Sequence, residues 1–270
     1  MQFTDEVLAT LVAEVMKPSK YASVSVDLVR EIGSKELAKT KNIKAAIKAT
    51  RNKIHQVGSA YQEVPIPYIS WVKEISNLPK NIHAPETINF IRACLPLHSS
   101  TRERLPFIET IFEQTLAPIQ PVESILDLAC GLTPLCLPWI PAAGNIRYSG
   151  VDIYENMIHF LDQFYNHFNL DHSFSVMNII QETPNEEVHL ALVLKTIPCL
   201  EQVDKTIGNR LLETLEAENI LVSFPSRGLG GRSKGMAENY ETHFTQLIAG
   251  KNWQVTKTEF TNEIKFLIRK

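Results

Sequence analysis

The spacing of apolar residues changes near residue 115, and the change predicts two parts with different secondary structure. Up to that point apolar positions recur every three or four residues, as at Leu8, Leu11 and Val15, which is typical of amphipathic helices. The first part is therefore predicted to be helical. The predicted helices span residues 3–16, 27–32, 42–57, 85–94 and 101–117, with one more short helix around Trp71.

From residue 122 onward, short apolar runs alternate with helical segments. The predicted strands span residues 124–128, 146–151, 172–177, 188–194, 220–224, 253–258 and 263–268. Strands that alternate with helices predict a mainly parallel sheet covered on both faces. The last two strands follow each other closely, with Thr261 and Asn262 as the turn, so they are predicted to form an antiparallel hairpin.

The most informative segment is Ser124 to Pro134, which reads SILDLACGLTP. An apolar strand runs into a turn of small residues and then into a helix start, with Thr133 as the N-cap and Pro134 as the first helical residue. The next strand ends in Gly150-Val151-Asp152, which places an acid where it can accept hydrogen bonds from a ribose diol. The pair predicts a site for a nucleoside-containing cofactor; the alternative is an ordinary strand–helix–strand unit without a ligand.

The turn after the first strand narrows the choice of cofactor. It lacks the G-x-G-x-x-G cradle for a pyrophosphate, and the chain has no G-x-x-x-x-G-K-[ST] loop. A tight turn with Asp127 just upstream suits a ligand with an amino group and no phosphates, such as S-adenosylmethionine (SAM). Five parallel strands that end in an antiparallel hairpin also indicate a SAM-dependent methyltransferase. A dinucleotide-binding sheet would normally end in a parallel sixth strand.

Length and composition limit the number of domains and the cellular location that we expect. The chain has 270 residues, 44% of them hydrophobic, which suits one large domain and a smaller one; we predict domains at 1–115 and 116–270. No stretch approaches the ~20 apolar residues of a membrane span, and the first residues do not resemble a signal peptide. We expect a cytoplasmic protein with no membrane partner, a monomer by default. The chain has four cysteines: Cys94, Cys130, Cys136 and Cys199. Their spacing fits neither a zinc site nor a disulfide framework.

Positive charge is concentrated near the N-terminus although the whole chain has a net charge of −3. Residues 17–53 contain ten Lys or Arg and three acids, so this segment carries +7 and the remainder −10. Within the predicted helix 42–57, three- and four-residue spacing places Lys44, Lys48 and Arg51 on one face, without glutamates to pair them. A solvated surface is the ordinary explanation for such a stripe, but we predict contact with RNA phosphates.

Three segments together resemble one family: residues 97–105 (LHSSTRERL), 127–134 (DLACGLTP) and 223–236 (SFPSRGLGGRSKGM). They are similar to the aminoglycoside-resistance methyltransferases that modify N7 of a decoding-site guanine in 16S rRNA. The similarity spans nearly the whole chain and includes Lys20-Tyr21 and Ala60-Tyr61. It implies a class I SAM-dependent methyltransferase: a Rossmann-like, seven-stranded α/β sheet with its last strands antiparallel, after an N-terminal all-helical domain. It also implies that the substrate is the assembled 30S ribosomal subunit.

The resemblance assigns cofactor roles to particular residues. Arg104 would hold the methionine carboxylate with its planar fork, unless it is a helix-surface arginine. His98 would approach the same end, unless it is a satisfied helix-end histidine. Where relatives often carry an acid that binds the adenine amino group, this chain has Asn178, which can accept through its amide oxygen. The full predicted cofactor set is Tyr61, His98, Ser99, Ser100, Arg104, Ala129, Gly131, Asp152, Asn178, Ile179, Leu194 and Gln202, with Lys195 beside it and without an assigned role.

The resemblance also implies an RNA interface. Guanine N7 has a free lone pair and no proton, so attack on the methyl group needs alignment rather than a general base. The base is expected to be flipped out, with Tyr61 stacked on it and Arg232 holding the base or its phosphate. The glycine-rich loop 226–236 suits the O6 and N7 edge of guanine, unless it is a flexible linker. The predicted RNA-binding residues are Lys20, Lys44, Lys48, Arg51, Lys53, Arg227, Arg232 and Lys234.

Two other functions stay open on the sequence alone. One is methylation of another rRNA site. The other is a catalytically silent RNA-binding relative, favoured only by Asn178. A small-molecule methyltransferase would not need the basic helices.

Overall fold

The computed structural model of the protein describes residues 4–58, 61–62, 64–226 and 235–270. These residues form one seven-stranded sheet with helices on both sides. The strand order is β3-β2-β1-β4-β5-β7-β6. The strands are β1 Val122–Leu128, β2 Ala142–Asp152, β3 His172–Val176, β4 Val188–Leu194, β5 Ala217–Pro225, β6 Gln254–Phe260 and β7 Glu263–Arg269.

The first five strands run parallel, and β7 runs antiparallel to both of its neighbours, β5 and β6. This is the predicted sheet, so the predicted fold class is confirmed. The central strand β4 is an almost uninterrupted apolar run, with Leu190 and Leu192 fully buried. Strands covered by helices on both faces need such runs. The edge strand β6 is largely exposed and polar.

Eleven α-helices occur in the described ranges. They are α1 Asp5–Met16, α2 Val26–Thr40, α3 Ile43–Val57, α4 Tyr68–Ile75, α5 Pro85–Cys94, α6 Ser99–Arg104, α7 Ile108–Leu116, α8 Glu155–His167, α9 Ile197–Leu200, α10 Ile207–Thr214 and α11 Met236–Leu247.

Helix α2 is much longer than the predicted segment 27–32. It is capped at its start by the Ser25 side chain, which accepts a hydrogen bond from the Leu28 N–H at 3.4 Å, and it ends at Lys41 in a left-handed conformation. Gly33 lies in its middle because a Cβ there would be 2.4 Å from a methyl group of Leu11. The glycine therefore allows close packing on α1 instead of ending the helix.

Two predicted helices are wrong in detail, and proline explains both. The predicted helix 101–117 is divided into α6, a 3₁₀ turn at Leu105–Phe107 and α7, because Pro106 cannot continue an α-helix. The segment after β1 is a 3₁₀ helix, Thr133–Trp139, that contains Pro138. Thr133 is not its N-cap, since no side-chain capping bond forms there.

The N-terminal helices pack directly against the carboxyl end of β2. An isolated bridge joins Val24 to Tyr154, and the Ser25 N–H donates to the Ile153 carbonyl at 2.7 Å. Helix α4 packs on α8 through rings that include Trp71 and Phe160, with centroids 5.1 Å apart. The helical part therefore reaches the edge of the sheet where a ligand is predicted. None of the helices that the structure describes is long and apolar enough to cross a membrane.

Candidate active site

A cavity opens at the carboxyl ends of β1, β2 and β4, the edge where open α/β sheets bind ligands. Residues from the helical part and from the sheet share its wall. The lining residues are Val57, Gly58, Tyr61, His98, Ser100, Ala129, Cys130, Thr133, Val151, Asp152, Ile153, Tyr154, Met177, Ile179, Leu194, Lys195, Thr196, Cys199 and Leu200.

The turn after β1 passes under this cavity in an unusual backbone conformation. Ala129 and Gly131 both have a φ of 54°, in the left-handed region that only glycine enters easily. Gly131 is also required for space, since a Cβ there would be 2.8 Å from Cε1 of His98. Strained residues of this kind concentrate at ligand sites.

Asp152 is fixed at the tip of β2 by two backbone amides. Its Oδ2 accepts from the Gly131 N–H at 2.9 Å and its Oδ1 from the Ile153 N–H at 2.6 Å. Burial raises the pKa of Asp152 to about 6, although the amide hydrogen bonds oppose the shift. Each carboxylate oxygen retains acceptor capacity, so the group is held ready for a ribose diol.

Asp127 does not reach the cavity. It is 1% exposed and accepts a hydrogen bond from the Tyr148 hydroxyl at 2.8 Å. Burial raises the pKa of Asp127 well above its usual value. The predicted contact of Asp127 with a ligand amino group is therefore replaced by an internal hydrogen bond below the turn.

Stacked rings form the side of the cavity that the helical part supplies. The rings of Tyr61 and His98 lie 5.8 Å apart at 14°, and the Tyr61 hydroxyl is 3.2 Å from the Cys199 sulfur. Burial lowers the pKa of His98 to about 3, so its ring is neutral. Its buried Nδ1 has no hydrogen-bond partner among the described residues. An orphaned polar atom in a cavity wall fits a polar ligand group.

Arg104 is buried and already holds a carboxylate of the chain itself. Its Nε and Nη2 donate to the two oxygens of Glu263 at 2.8 and 2.9 Å, and its Nη1 donates to the Thr133 hydroxyl at 3.2 Å. The bidentate edge that we predicted for a methionine carboxylate is thus occupied. Although burial opposes ionisation, Arg104 keeps the pKa of Glu263 below its usual range. Arg104 is not a helix-surface residue, and it reaches the cavity wall through Thr133.

Two charged residues of the site were not explained by the sequence analysis: Lys195 was left without a role, and Glu263 was missed. Lys195 follows β4 in a left-handed conformation, φ 59°, and is 3% exposed. Its ammonium pairs with Glu103 and lies 4.0 Å from Glu263 Oε2. The signal in the sequence for Glu263 was an acid at the start of a mainly apolar strand, Glu263–Arg269.

The structure gathers some of the predicted cofactor residues and separates others. Those in the cavity wall are Tyr61, His98, Ser100, Ala129, Asp152, Ile179 and Leu194. Those outside the wall are Ser99, Arg104, Gly131, Asn178 and Gln202. Gly131 still contributes through its N–H to Asp152. The exposed side chain of Gln202 donates to the Pro198 carbonyl at 3.3 Å, and Ser99 accepts from Arg102 at 3.2 Å.

The predicted RNA-binding cations divide in the same way. The ammonium groups of Lys44 and Lys48 are exposed and have no hydrogen-bond or ion-pair partner in the described part of the chain. Lys20 is also exposed, and its ammonium lies 4.6 Å from the centroid of the adjacent Tyr21 ring.

Two of the predicted cations instead join elements of the fold. Arg51 donates to the carbonyls of Glu14 and Val15, while Lys53 donates to the Gln202 carbonyl at 2.5 Å. Arg227, Arg232 and Lys234 lie outside the described residues.

A parallel sheet that ends in an antiparallel hairpin, with a glycine turn after β1 and a fixed carboxylate at the tip of β2, defines a class I SAM-dependent methyltransferase. The profile of the ribosomal RNA methyltransferase (FmrO) family matches residues 17–268. The chain therefore belongs to the FmrO family of ribosomal RNA methyltransferases. The predicted family, enzyme class and cofactor are confirmed.

Individual relatives cover almost the whole chain. A 16S rRNA (guanine(1405)-N(7))-methyltransferase of Micromonospora rosea is 26% identical over 268 residues, 98% of each chain. An enzyme of the same name from Serratia marcescens is 29% identical over 259 residues, 95% of this chain and 96% of its own. The crystal structure of the 16S rRNA methyltransferase RmtF with S-adenosyl-L-homocysteine superposes with a TM-score of 0.84 at 26% identity, covering 99% and 100% of the two chains.

Proposed function

We propose that this protein transfers the methyl group of SAM to N7 of a decoding-site guanine in 16S rRNA and thereby gives aminoglycoside resistance. The observation that carries the proposal is the continuity of the basic helix with the cofactor cavity. Val57 and Gly58, at the end of α3, line the cavity, and Lys44 and Lys48 lie on the same helix. At 1.5 Å per residue, the cations are about 15–20 Å from the cavity wall. RNA that contacts them can present a base to the cavity. The choice of guanine N7 as the target atom rests on the names of the relatives described above.

The residues of the cavity suit a transfer that needs no proton movement. When bound, SAM supplies a methyl group on a positively charged sulfur. Asp152 would hold the ribose, and the neutral His98 would satisfy its orphaned Nδ1 on a polar group of the cofactor. Burial raises the pKa of Tyr61, so its ring stays neutral. The catalytic contribution is alignment of the acceptor atom with the methyl group.

Other residues would contact the RNA. Lys20, Lys44 and Lys48 would contact rRNA phosphates. Tyr61 would extend its stack with His98 to the flipped guanine, and Arg232 would hold that base, with Arg227 and Lys234 on neighbouring phosphates. We assign docking to residues 1–115 and methyl transfer to residues 116–270. The substrate is the assembled 30S subunit, met in the cytoplasm by a monomer.

The test is methylation of purified, unmodified 30S subunits with labelled SAM, followed by mapping of the modified nucleotide. Label at N7 of the decoding-site guanine, with a raised inhibitory concentration of aminoglycosides for a bacterium that expresses the protein, is the expected result. Label at another rRNA position would refute the target but keep the cofactor. Absence of label despite cofactor binding would refute the proposed reaction. Naked 16S rRNA serves as the control for subunit recognition.

A further inference from the structure

The loop after β3 is attached to helix α2 of the N-terminal part by a side-chain contact. Met177 and Ile179 line the cavity, whereas Asn178 between them does not. The Asn178 side chain turns away and donates from Nδ2 to Glu31 Oε2 at 2.6 Å. Glu31 belongs to α2 and is separated from Asn178 by 147 residues. The contact therefore joins the cofactor cavity to the basic N-terminal part.

Asn178 uses both ends of its amide. While Nδ2 donates to Glu31, Oδ1 accepts from the Ile180 N–H at 3.2 Å. The Asn178 carbonyl accepts from the N–H groups of Gln181 and Glu182 at 3.0 and 3.2 Å. An asparagine can donate and accept together, which an ionised aspartate cannot. Both functions are needed to fix the loop in this shape.

Glu31 is the fixed end of the contact. Its side chain is 11% exposed, and its other oxygen, Oε1, pairs with Lys35 one helical turn later at 2.7 Å. A hydrogen bond to a charged acceptor in a partly buried setting is stronger than one between neutral groups. Glu31 therefore has a single orientation, and it imposes that orientation on Asn178.

We infer that Glu31 is a positioning residue for the cofactor: through Asn178 it holds the loop that places Met177 and Ile179 in the cavity wall. Asn178 is then a connector and does not itself bind the adenine. The inference rests on the cofactor of the proposed function, but not on the RNA target. It also explains the residue type at 178, because an aspartate there would set two carboxylates against each other.

The test is a cycle of variants: N178D, E31Q and the double variant N178D/E31Q. N178D is expected to weaken S-adenosylhomocysteine binding about tenfold, within the range of couplings between contacting residues. KM for SAM should rise in parallel while kcat on 30S subunits is nearly unchanged. In the double variant, the amide of the new glutamine can donate to the new aspartate, so affinity should return close to the original. N178D/E36Q is the matched control, because Glu36 lies on the same helix and pairs with Lys39 instead.

Calorimetry with S-adenosylhomocysteine and the melting temperature of the ligand-free protein are the two readouts. Rescue by E31Q and not by E36Q supports the inference. Unchanged or tighter binding in N178D would overturn it, because an aspartate can replace an adenine ligand but not this connector. Equal rescue by both glutamines would also overturn it. If N178D does not fold, E31A, which removes the acceptor without adding charge, should weaken binding in the same direction, and unchanged binding would refute the idea. These binding data are independent of where the methyl group is placed, so failure of the proposed target would leave them intact.

Discussion

Replacing Lys44 and Lys48 by glutamine should weaken binding to 30S subunits and make that binding less dependent on salt. The two ammonium groups are exposed and lack partners in the described part of the chain. They lie four residues apart, hence about 6 Å apart along α3 and on the same face. Each is free to contact one phosphate, and neither substitution disturbs the core.

The expected magnitude follows from the number of free cations. Each phosphate contact contributes about 0.7–0.9 to the slope of log K against log salt. Loss of two contacts should reduce the slope by about 1.4–1.8. Between about 50 and 200 mM salt, the affinity of the variant should therefore fall roughly tenfold less than that of the wild type.

The assay is equilibrium binding of the labelled protein to subunits over that salt range. The variant K251Q/K257Q is the matched control, because it removes the same charge from lysines that are paired with Glu213 and with Glu241. A slope that stays at the wild-type value in K44Q/K48Q would refute the docking role. An equal change in the control would show that net charge, and not α3, sets the affinity.

Three further predictions concern buried or bonded groups. R51Q/K53Q should lower the free energy of unfolding by about 1–3 kcal/mol and leave the salt slope of subunit binding nearly unchanged, because these side chains donate to backbone carbonyls. Chemical denaturation measures the stability, and the binding assay measures the slope. A changed slope with unchanged stability would contradict the prediction. The folded-state pKa of Asp152 is raised from 3.8 to about 6, so the ligand-free protein should gain stability as pH falls from about 6 towards 4. Over the same range its affinity for S-adenosylhomocysteine should fall, because protonation of Asp152 removes a hydrogen-bond acceptor. Calorimetry at pH 5 and 7.5 should show the lower affinity at pH 5, and an equal pH dependence in D152N would exclude Asp152 as the cause of that dependence. Lys265 is fully buried and has no hydrogen-bond partner among the described residues. Burial lowers its pKa from 10.5 to about 7, so stability should rise as pH increases from about 7 to 10. K265M should remove that rise and stabilise the protein at pH 7 by about 1–4 kcal/mol, whereas a less stable K265M would mean that the contacts of the ammonium with the Phe112 and Phe260 rings outweigh the cost of its burial.

The sheet was predictable because its strands are buried on both faces. Such strands are continuous apolar runs, and β4 was predicted at its observed bounds, Val188–Leu194. Strand β2 was predicted to begin at Ile146 but begins at Ala142. Its pairing with β1 shifts register between Val122 and Ser124, and a local irregularity of this kind leaves little trace in the hydrophobic pattern.

The site was predictable where one short segment carries the function. The turn with Ala129 and Gly131 and the acid Asp152 lie at the ends of consecutive strands, so their meeting follows from topology. Topology does not show in the same way whether each predicted RNA-binding cation is free or bonded to the fold. Lys48, Arg51 and Lys53 lie on one helix within six residues, yet of these three only Lys48 has no partner within the described ranges. The partners of the other two are carbonyls of remote segments, which helical periodicity cannot reveal.

The charge balance around Lys195 shows how such remote contacts affect the chemistry. Methyl transfer moves a positive charge from the sulfur of SAM to the base, so an uncompensated ammonium in the wall would repel a cation both before and after the transfer. Among the described residues, Lys195 is the one Lys or Arg that lines the cavity, and it is paired with Glu103. Behind it, Glu263 lies between Lys195 and Arg104. Arg104 and Lys195 thus face two acids, and the charge of Lys195 is compensated. The acids come from α6 and from the start of β7, far apart in the chain, so the sequence shows a cation at the site but only the fold shows that its charge is balanced.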